Sequence, residues 1–597
     1  MKTLTTLFLF GALVCAAEPA HHLKQSSDLS NVDAHAMVNV IVQWSHTPTD
    51  DQHQKVLSRG GFIRSKFQKV KAGAYSMPAA ALDDLASDAE VTYISPDRPV
   101  SAKLDYTAAA VNASVAWNQQ FIGTGIGVAV VDSGMVQSSD LADSKRIVYN
   151  QDFTGQIKAD ANVQNTRNAP DLFGHGQHVA GIIASNGKSS SCGNCTRLLK
   201  GMAPGVNLVN LRALDQNGMG SDSGVIAAIE RAISLKDTYN IRVLNLSLGR
   251  PVYESYTLDP LCQAVEEAWK AGIVVVIAAG NEGRDNSMGT NGYGTISAPG
   301  NDPYAITVGA MKTMGSYDRS DDQIASYSSK GPTLIDGIVK PDIVAPGNQV
   351  VSLLASPNDT LAKQYPANDV PVSYYRSNHD QHASNVYFTL SGTSMATPVV
   401  GGAVADLLQA QPELTPDQVK ARLMATAYKT FPYSSVATDP VTGASYVEYY
   451  DIFTVGAGYL DIAAALSSTA VANGTAMSPT AIYDSTTGNI MMVMDPSAVW
   501  DLRFLWGESS VFSAAAVWGA QSITGSRFLW GENGVDAARF LWGENTVDAT
   551  RFLWGENVAL EPSVRTVFES ATTQPAPASA IGSAGTQSTS LMILGEQ

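Results

Sequence analysis

Few cysteines, few charges and no long apolar run characterise this chain. Four Cys in 597 residues rule out a fold stapled mainly by disulfides. Only 16% of residues are charged, and acidic residues outnumber basic ones by 55 to 38, for a net charge of −17. Such a balance gives no electrostatic footprint for nucleic acid or for an anionic membrane. The acids are scattered rather than blocked, as on a solvated surface. Past the leader, no segment offers the roughly 18 continuous apolar residues of a membrane span. What is plentiful is apolar: 45% of the chain, enough for a large core. Two to four pieces are expected at this length.

The start, "MKTLTTLFLFGALVCAAEPA", has one Lys, an apolar run from Leu4 to Cys15 and small residues at Ala16 and Ala17. This reads as a secretory signal peptide over residues 1–17. A lipobox at Cys15 is the weaker alternative, because Val14 is a poor residue before a lipidated Cys. With Cys15 gone, Cys192, Cys195 and Cys262 remain. "SCGNC" has no second pair to complete a zinc site, so an exported protein is expected to close Cys192–Cys195 and to bury Cys262 as a free thiol.

Residues 38–100 read as a small unit: "VNVIVQW" a strand, "PAAALDDLASD" a helix, "VTYISPDRPV" a strand and exit. From about Thr107 to Leu466 strands and helices alternate. "GVAVVDSG", "VNLVNLRAL", "IRVLNLSLG", "IVVVIAAGN" and "YAITVGAM" are continuous apolar strands, with "SGVIAAIERAISL" and "LCQAVEEAWKAG" as helices between them. That pattern predicts an α/β fold with a doubly wound, mainly parallel sheet. After Ala472 the helices stop and "RFLWGE" recurs at Arg503, Arg527, Arg539 and Arg551, with a degraded copy at Trp518–Gly519. A twelve-residue period predicts a β-rich repeat extension over 503–556, and "TTQPAPASAIGSAGTQSTS" behind it has a disordered composition. The predicted pieces are thus 1–17, 18–104 (a small α+β domain), 105–470 and 471–597.

Functional residues of parallel sheets collect at the carboxyl ends of strands. Here Asp132 closes "VAVVDSG", Ser247 and Gly249 close "VLNLSLG", and Gly280 and Asn281 close "VVVIAAGN". His175 opens a helix in "LFGHGQHVAG", and Ser394 opens another in "LSGTSMATPVV". Alone, each has a bland reading: Ser394 an N-cap, His175 and His178 a chance pair short of a third metal ligand. Together they supply what a serine nucleophile needs. An imidazole takes its proton, an acid fixes that imidazole, and Asn281 offers an amide to the oxyanion.

These four segments resemble the active-site motifs of the subtilisin-like serine proteases, in family order. "GMAPGVNLVNLRAL", "YSSKGP", "VKPDIVAPG" and "LTPDQVKARLMATA" match as well, so the resemblance runs from about Ala108 to Leu466. It implies a secreted, extracellular endopeptidase with Asp132, His175 and Ser394 as triad and Asn281 as oxyanion donor. His178 is left to packing. The resemblance further implies extended peptide substrates held by strand addition between "GMGSDSG" (Gly218, Gly220, Ser221) and "SLGR" (Ser247, Leu248, Gly249), beside Gly280. Residues 38–100 resemble the family's inhibitory propeptide, which the enzyme itself removes. No cofactor is needed for the chemistry. Structural calcium is usual in the family, but no ligand set can be named. One departure stands out: Gln177 where the family usually has Thr.

Rival readings fare worse. An α/β-hydrolase places its serine first in chain order, and here it is last. A zinc hydrolase on His175 and His178 lacks its Glu or third ligand. An inactive binding module displayed by the repeats conflicts with an intact set of Asp, His, Asn and Ser. The insertion Ser356–Phe388, polar and Pro-bearing, is expected to be a surface loop beside the cleft that affects substrate choice more than stability. For the repeats two readings stand: a β stack that simply ends the protein, and a module retaining it at the cell surface.

Overall fold

The computed structural model describes residues 36–499 apart from 68–70, 97–102, 105, 143–145, 156–168, 378–379, 440–441, 485–488, 494 and 496, plus isolated positions at 24–26, 29, 33, 567 and 596. The leader, the exit segment after Pro96 and the "RFLWGE" repeats lie outside the described residues. Two compact units make up the chain, Met1–Ser101 and Ala102–Gln597.

The first unit is α+β. Its antiparallel sheet runs Phe62–Lys66, Ala72–Pro78, Met37–Trp44, Val91–Pro96, with helices at Asp50–Leu57 and Leu82–Ala86. Val40, Val42, Trp44, Tyr75, Met77, Leu85 and Ile94 form its core. Pattern reading finds two of the four strands and one of the two helices. Phe62–Lys66 (FIRSK) is an edge strand with little to bury, so its alternation is weak. Asp50–Leu57 is mostly polar, but it opens with a capping box between Thr49 and Gln52, a signal that spacing alone could have supplied.

The second unit is built on an eight-stranded sheet. Its path runs Gln323–Ile324, Ile306–Lys312, Val274–Ala278, Ile241–Leu246, Gly127–Asp132, Asn207–Arg212, Ile147–Asp152, with Ile343–Pro346 also pairing with Ile306–Lys312. All pairings are parallel except that of Gln323–Ile324. The five predicted apolar strands are all present and buried, as a sheet covered by helices requires. Asp222–Tyr239 starts at an N-cap by Ser221, and Pro260–Lys270 at one by Asp259 with Pro260 in the first turn. The disulfide Cys192–Cys195 is formed and Cys262 is a buried free thiol.

Two segments depart from the sequence reading. The insertion Ser356–Phe388 is not merely a surface loop. Leu361, Ala362, Val370, Tyr375, Tyr387 and Phe388 are buried in the main core, and Ala383–Leu390 is a strand paired with Val350–Leu353. Polar residues between those apolar positions had masked the inward face. Deleting the insertion would therefore cost stability as well as shape.

Residues beyond 470 also join the second unit. Ala472, Ala476, Ala481 and Val499 pack with Tyr293, Val339, Ala421, Met424 and Phe453. Val339 N–H donates to the Pro479 carbonyl at 2.8 Å, Ala481 N–H to that of Gly337 at 2.7 Å, and Ser478 donates to Asp342. A cut after Ser468 therefore removes part of the folded unit. A chain ending at Ser468 should melt at least about 5 °C below one ending at Val499, because it exposes this apolar face. Equal melting temperatures in thermal unfolding would show that the face adds nothing.

Candidate active site

The strand Gly127–Asp132 sits at the switch point of the sheet, with Asn207–Arg212 on one side and Ile241–Leu246 on the other. Ligand sites form where the strand order reverses in this way. Asp132 ends that strand with its side chain 1% exposed. Its Oδ1 accepts the Ser133 N–H at 2.7 Å and pairs with His175 Nδ1 at 2.8 Å, while Oδ2 is buried and, among the described residues, has no hydrogen-bond partner.

His175 begins the helix His175–Ala184, whose N-cap is Gly174. Glycine has no side chain to cap with, so the free N–H groups of the first turn need other acceptors. Asp171 supplies them. Its Oδ1 accepts Phe173 N–H at 3.0 Å and Gly174 N–H at 2.8 Å, and its Oδ2 accepts Gln177 N–H at 2.8 Å. Ser133 Oγ donates to Asp171 at 2.9 Å and accepts Gly176 N–H at 2.9 Å, joining the end of the aspartate strand to the helix start. Sequence reasoning missed Asp171; its spacing four residues before His175, just ahead of a glycine turn, is a capping signal.

Burial lowers the His175 pKa, but the Asp132 charge, their hydrogen bond and the Asp171 charge outweigh it, and the imidazole lies above its ordinary 6.5. Burial raises Asp171 to about 6, against the helix N–H groups that favour its charged form. His178 has the packing role assigned to it. Its Nε2 lies 3.1 Å from the Val350 and Phe388 carbonyls, and burial followed by the His175 charge lowers it to about 3. Gln177 accepts the Val136 N–H at 2.9 Å and so pins the turn after Asp132.

Ser394 lies in the first turn of Thr393–Ala410, a helix packed on the histidine helix. Its Oγ donates to the Ser247 carbonyl at 3.1 Å, and among the described residues it makes no bond to His175. Pro398, four residues on, has no N–H to return to the Ser394 carbonyl; Ser247 Oγ donates to that carbonyl instead, at 2.9 Å. Asn281 Oδ1 accepts the Thr393 N–H at 2.9 Å, which fixes the amide's orientation and leaves Nδ2, among the described residues, without a partner next to the serine turn. Gly392 holds φ +145, and a Cβ there would sit 3.5 Å from Asn281 Oδ1.

The predicted backbone-binding residues fall on two segments. Gly218, Gly220 and Ser221 precede the helix Asp222–Tyr239, and Ser221 is engaged as its cap, accepting Gly224 N–H at 3.2 Å. Ser247, Leu248 and Gly249 follow the strand Ile241–Leu246. Gly280 holds φ +111 beside Asn281. Arg250 ties the two segments together, with Nη2 2.9 Å from Asp222 and 3.0 Å from Asp259. That tie joins residues distant in sequence, and no local pattern announces it.

Among the described residues, no cluster of three or more His, Cys, Asp or Glu side chains is arranged to hold a metal ion. One buried oxygen cage is filled by lysines. Lys420 Nζ takes the carbonyls of Pro303, Tyr304 and Ala305 at 2.8, 3.2 and 3.0 Å and lies 3.1 Å from Asp342, while Lys340 Nζ lies 2.7 Å from that same carboxylate. Two ammonium groups occupy the place a calcium ion would need, so this cage does not fit one.

Residues 123–455 match the profile of the subtilase family, peptidase S8. Serine protease AprX of Bacillus subtilis (strain 168) is 37% identical over 370 residues, which are 60% of this chain and 75% of that protein. Subtilisin E of the same organism is 32% identical over 375 residues, 62% of this chain and 79% of its own length. Extracellular serine proteinase of Thermus sp. (strain Rt41A) is 33% identical over 372 residues, 60% and 70% respectively. With Asp132, His175, Asn281 and Ser394 all inside a match longer than half the chain, this protein belongs to the subtilase family.

Proposed function

We propose that the protein is a secreted serine endopeptidase, made as a zymogen, with Ser394 as nucleophile. One observation carries the reading: Asp132 holds His175 on a helix packed against the helix of Ser394, and Thr393 orients the Asn281 amide next to that serine. The leader and the name of the Thermus relative support secretion.

An extended peptide lies between Gly218–Ser221 and Ser247–Gly249. The Ser394 hydroxyl leaves the Ser247 carbonyl for His175 Nε2, which takes its proton as Oγ attacks the scissile carbonyl carbon. Asp132 keeps Nδ1 protonated and stabilises the imidazolium. Asn281 Nδ2 donates to the carbonyl oxygen as it becomes negative. His175 then protonates the leaving amine, the C–N bond breaks, and an acyl-serine remains. Water, deprotonated by His175, attacks that ester; the acyl C–Oγ bond then breaks, His175 returns the proton to Ser394 Oγ, and the new carboxyl end leaves. Nucleophile, base and donor are all side chains, so the chemistry calls on no cofactor.

The unit of residues 18–104 serves as inhibitor and folding aid, removed by a cut between Val100 and Thr107. Its compact core is consistent with a piece that folds separately. The repeats serve as a cell-surface retention module, for which their concentration of Trp, five of the nine in the chain, is the support.

Ser394→Ala should abolish peptide hydrolysis, a loss on the order of a million-fold as established on subtilisin, and should leave the precursor uncut. Asn281→Ala should lower kcat about 100- to 1000-fold with KM little changed, again the subtilisin magnitude. Normal turnover by the first variant, or an unchanged kcat in the second, removes that residue from its role.

His175 must be unprotonated to act as base. With its pKa raised, kcat/KM should climb through an acid limb centred above pH 6.5. Asp132→Asn deletes the main raising influence, so the limb should move to lower pH while kcat falls about 10,000-fold. A limb that stays in place in pH–rate profiles would assign it to another group.

A further inference from the structure

One buried side chain comes from the far end of the chain. Glu596, the last residue but one, is 5% exposed. Arg284 Nη2 donates to its Oε1 at 2.8 Å, Lys312 Nζ lies 2.9 Å from Oε2, and Ser326 donates to Oε1 through its hydroxyl and, at 3.0 Å, its N–H. The backbone is held too. Asn348 Nδ2 donates to the Glu596 carbonyl at 2.8 Å, and Glu596 N–H donates to Asn348 Oδ1 at 2.9 Å. A side-chain amide that pairs with both backbone groups of one residue imitates a β-bridge.

Lys312 shows what the pocket requires. Its side chain is 4% exposed, and among the described residues Glu596 is the only carboxylate within ion-pair reach. Arg284 has a second partner in Asp439, at 2.9 Å. An ammonium so deeply buried is strongly unfavourable without a counter-charge. The site is therefore built around an anion.

Its walls also support the catalytic turns. Arg284 is three residues past Asn281, and Gly283 N–H donates to the Tyr327 carbonyl at 2.8 Å. Tyr327 Oη donates at 3.1 Å to the Gly347 carbonyl, which also receives the Gly392 N–H at 2.8 Å, two residues before Ser394. Gln349 N–H donates to Ser391 Oγ at 2.8 Å.

We propose that Arg284, Lys312, Ser326 and Asn348 form a carboxylate-binding pocket on the second unit. Glu596 fills it in cis and latches the carboxyl end of the chain beside the segment that carries Asn281. Because the pocket holds a carboxylate and a backbone amide together, its ligand class is an acidic residue within a peptide. The inference does not depend on the proteolytic reading.

The test uses the Ser394→Ala chain, so that no peptide is digested, ended at Gly595 to empty the pocket. A labelled peptide of residues 590–597, Ser-Leu-Met-Ile-Leu-Gly-Glu-Gln, is titrated in by fluorescence anisotropy. It should bind saturably to the shortened chain and not to the full one. The same peptide with Gln for Glu should bind at least about tenfold more weakly. No binding, equal affinity of the two peptides, or equal binding by the full chain would overturn the pocket.

If the shortened chain does not fold, carboxypeptidase trimming of full-length chains gives the answer. The native end should be trimmed at least about tenfold more slowly than that of Lys312→Met/Glu596→Gln, which leaves no lysine unpaired. Equal trimming would overturn the latch.

Discussion

Asp132 is a charged group at the end of a strand with no exposed residue, and much of the second unit is arranged around that fact. A carboxylate so placed is tolerable only with donors aimed at it. His175 and the Ser133 N–H are those donors, and each is fixed by a further layer. Ser133 is tied to Asp171, Asp171 caps the histidine helix, and Gln177 in the next turn holds Val136. The histidine helix thus begins where it does because two carboxylates and a glycine cap define its first turn. Its register then places His175 toward Asp132 and His178, one turn later, into the core.

The serine side obeys a complementary logic. A nucleophile must be positioned without being engaged too firmly. Pro398 withholds one N–H from the helix, so the Ser394 carbonyl turns to Ser247, whose own carbonyl takes the Ser394 hydroxyl. The serine is therefore referenced to the end of the strand Ile241–Leu246. The same strand holds Asn245, whose amide donates to Ser247 Oγ at 2.9 Å, so the reference reaches into the core. Arg250, just beyond, links this segment to the start of the helix Asp222–Tyr239, which leaves little freedom for the two segments to move apart.

The sheet, the principal helices and the four motif residues were legible because each rests on a local signal: an unbroken apolar run, a cap, or a polar residue at a strand's end. What escaped depends on tertiary partners. The capping role of Asp171 needs a helix start without a capping side chain, the Arg250–Asp222 link joins positions far apart, and the inward face of Ser356–Phe388 is interrupted by polar residues. The stretch Ala472–Val499 looked like the start of an extension because its alanines carry little periodic signal. Those alanines are small enough to fit closely against Ala421 and Met424. The Lys340–Lys420–Asp342 cluster is equally silent in the sequence, since lysines are ordinarily read as surface.

The contacts of Glu596 also alter the topology of the extension. Val499 is held by its N–H to the Thr475 carbonyl, Val567 by packing in the cluster of Tyr293 and Val339, and Glu596 by Arg284, Lys312 and Asn348, so positions on both sides of the repeats attach to one folded unit. Upstream of a cut the backbone itself keeps Val499 on the folded unit, whereas the downstream piece keeps only its non-covalent contacts. After a single nick between Val499 and Glu596, the contacts of Glu596 would still tie the downstream piece to the folded unit, and it would be free once they open. Breaking the chain and losing the extension would thus be two separate events, the second set by how often those contacts open.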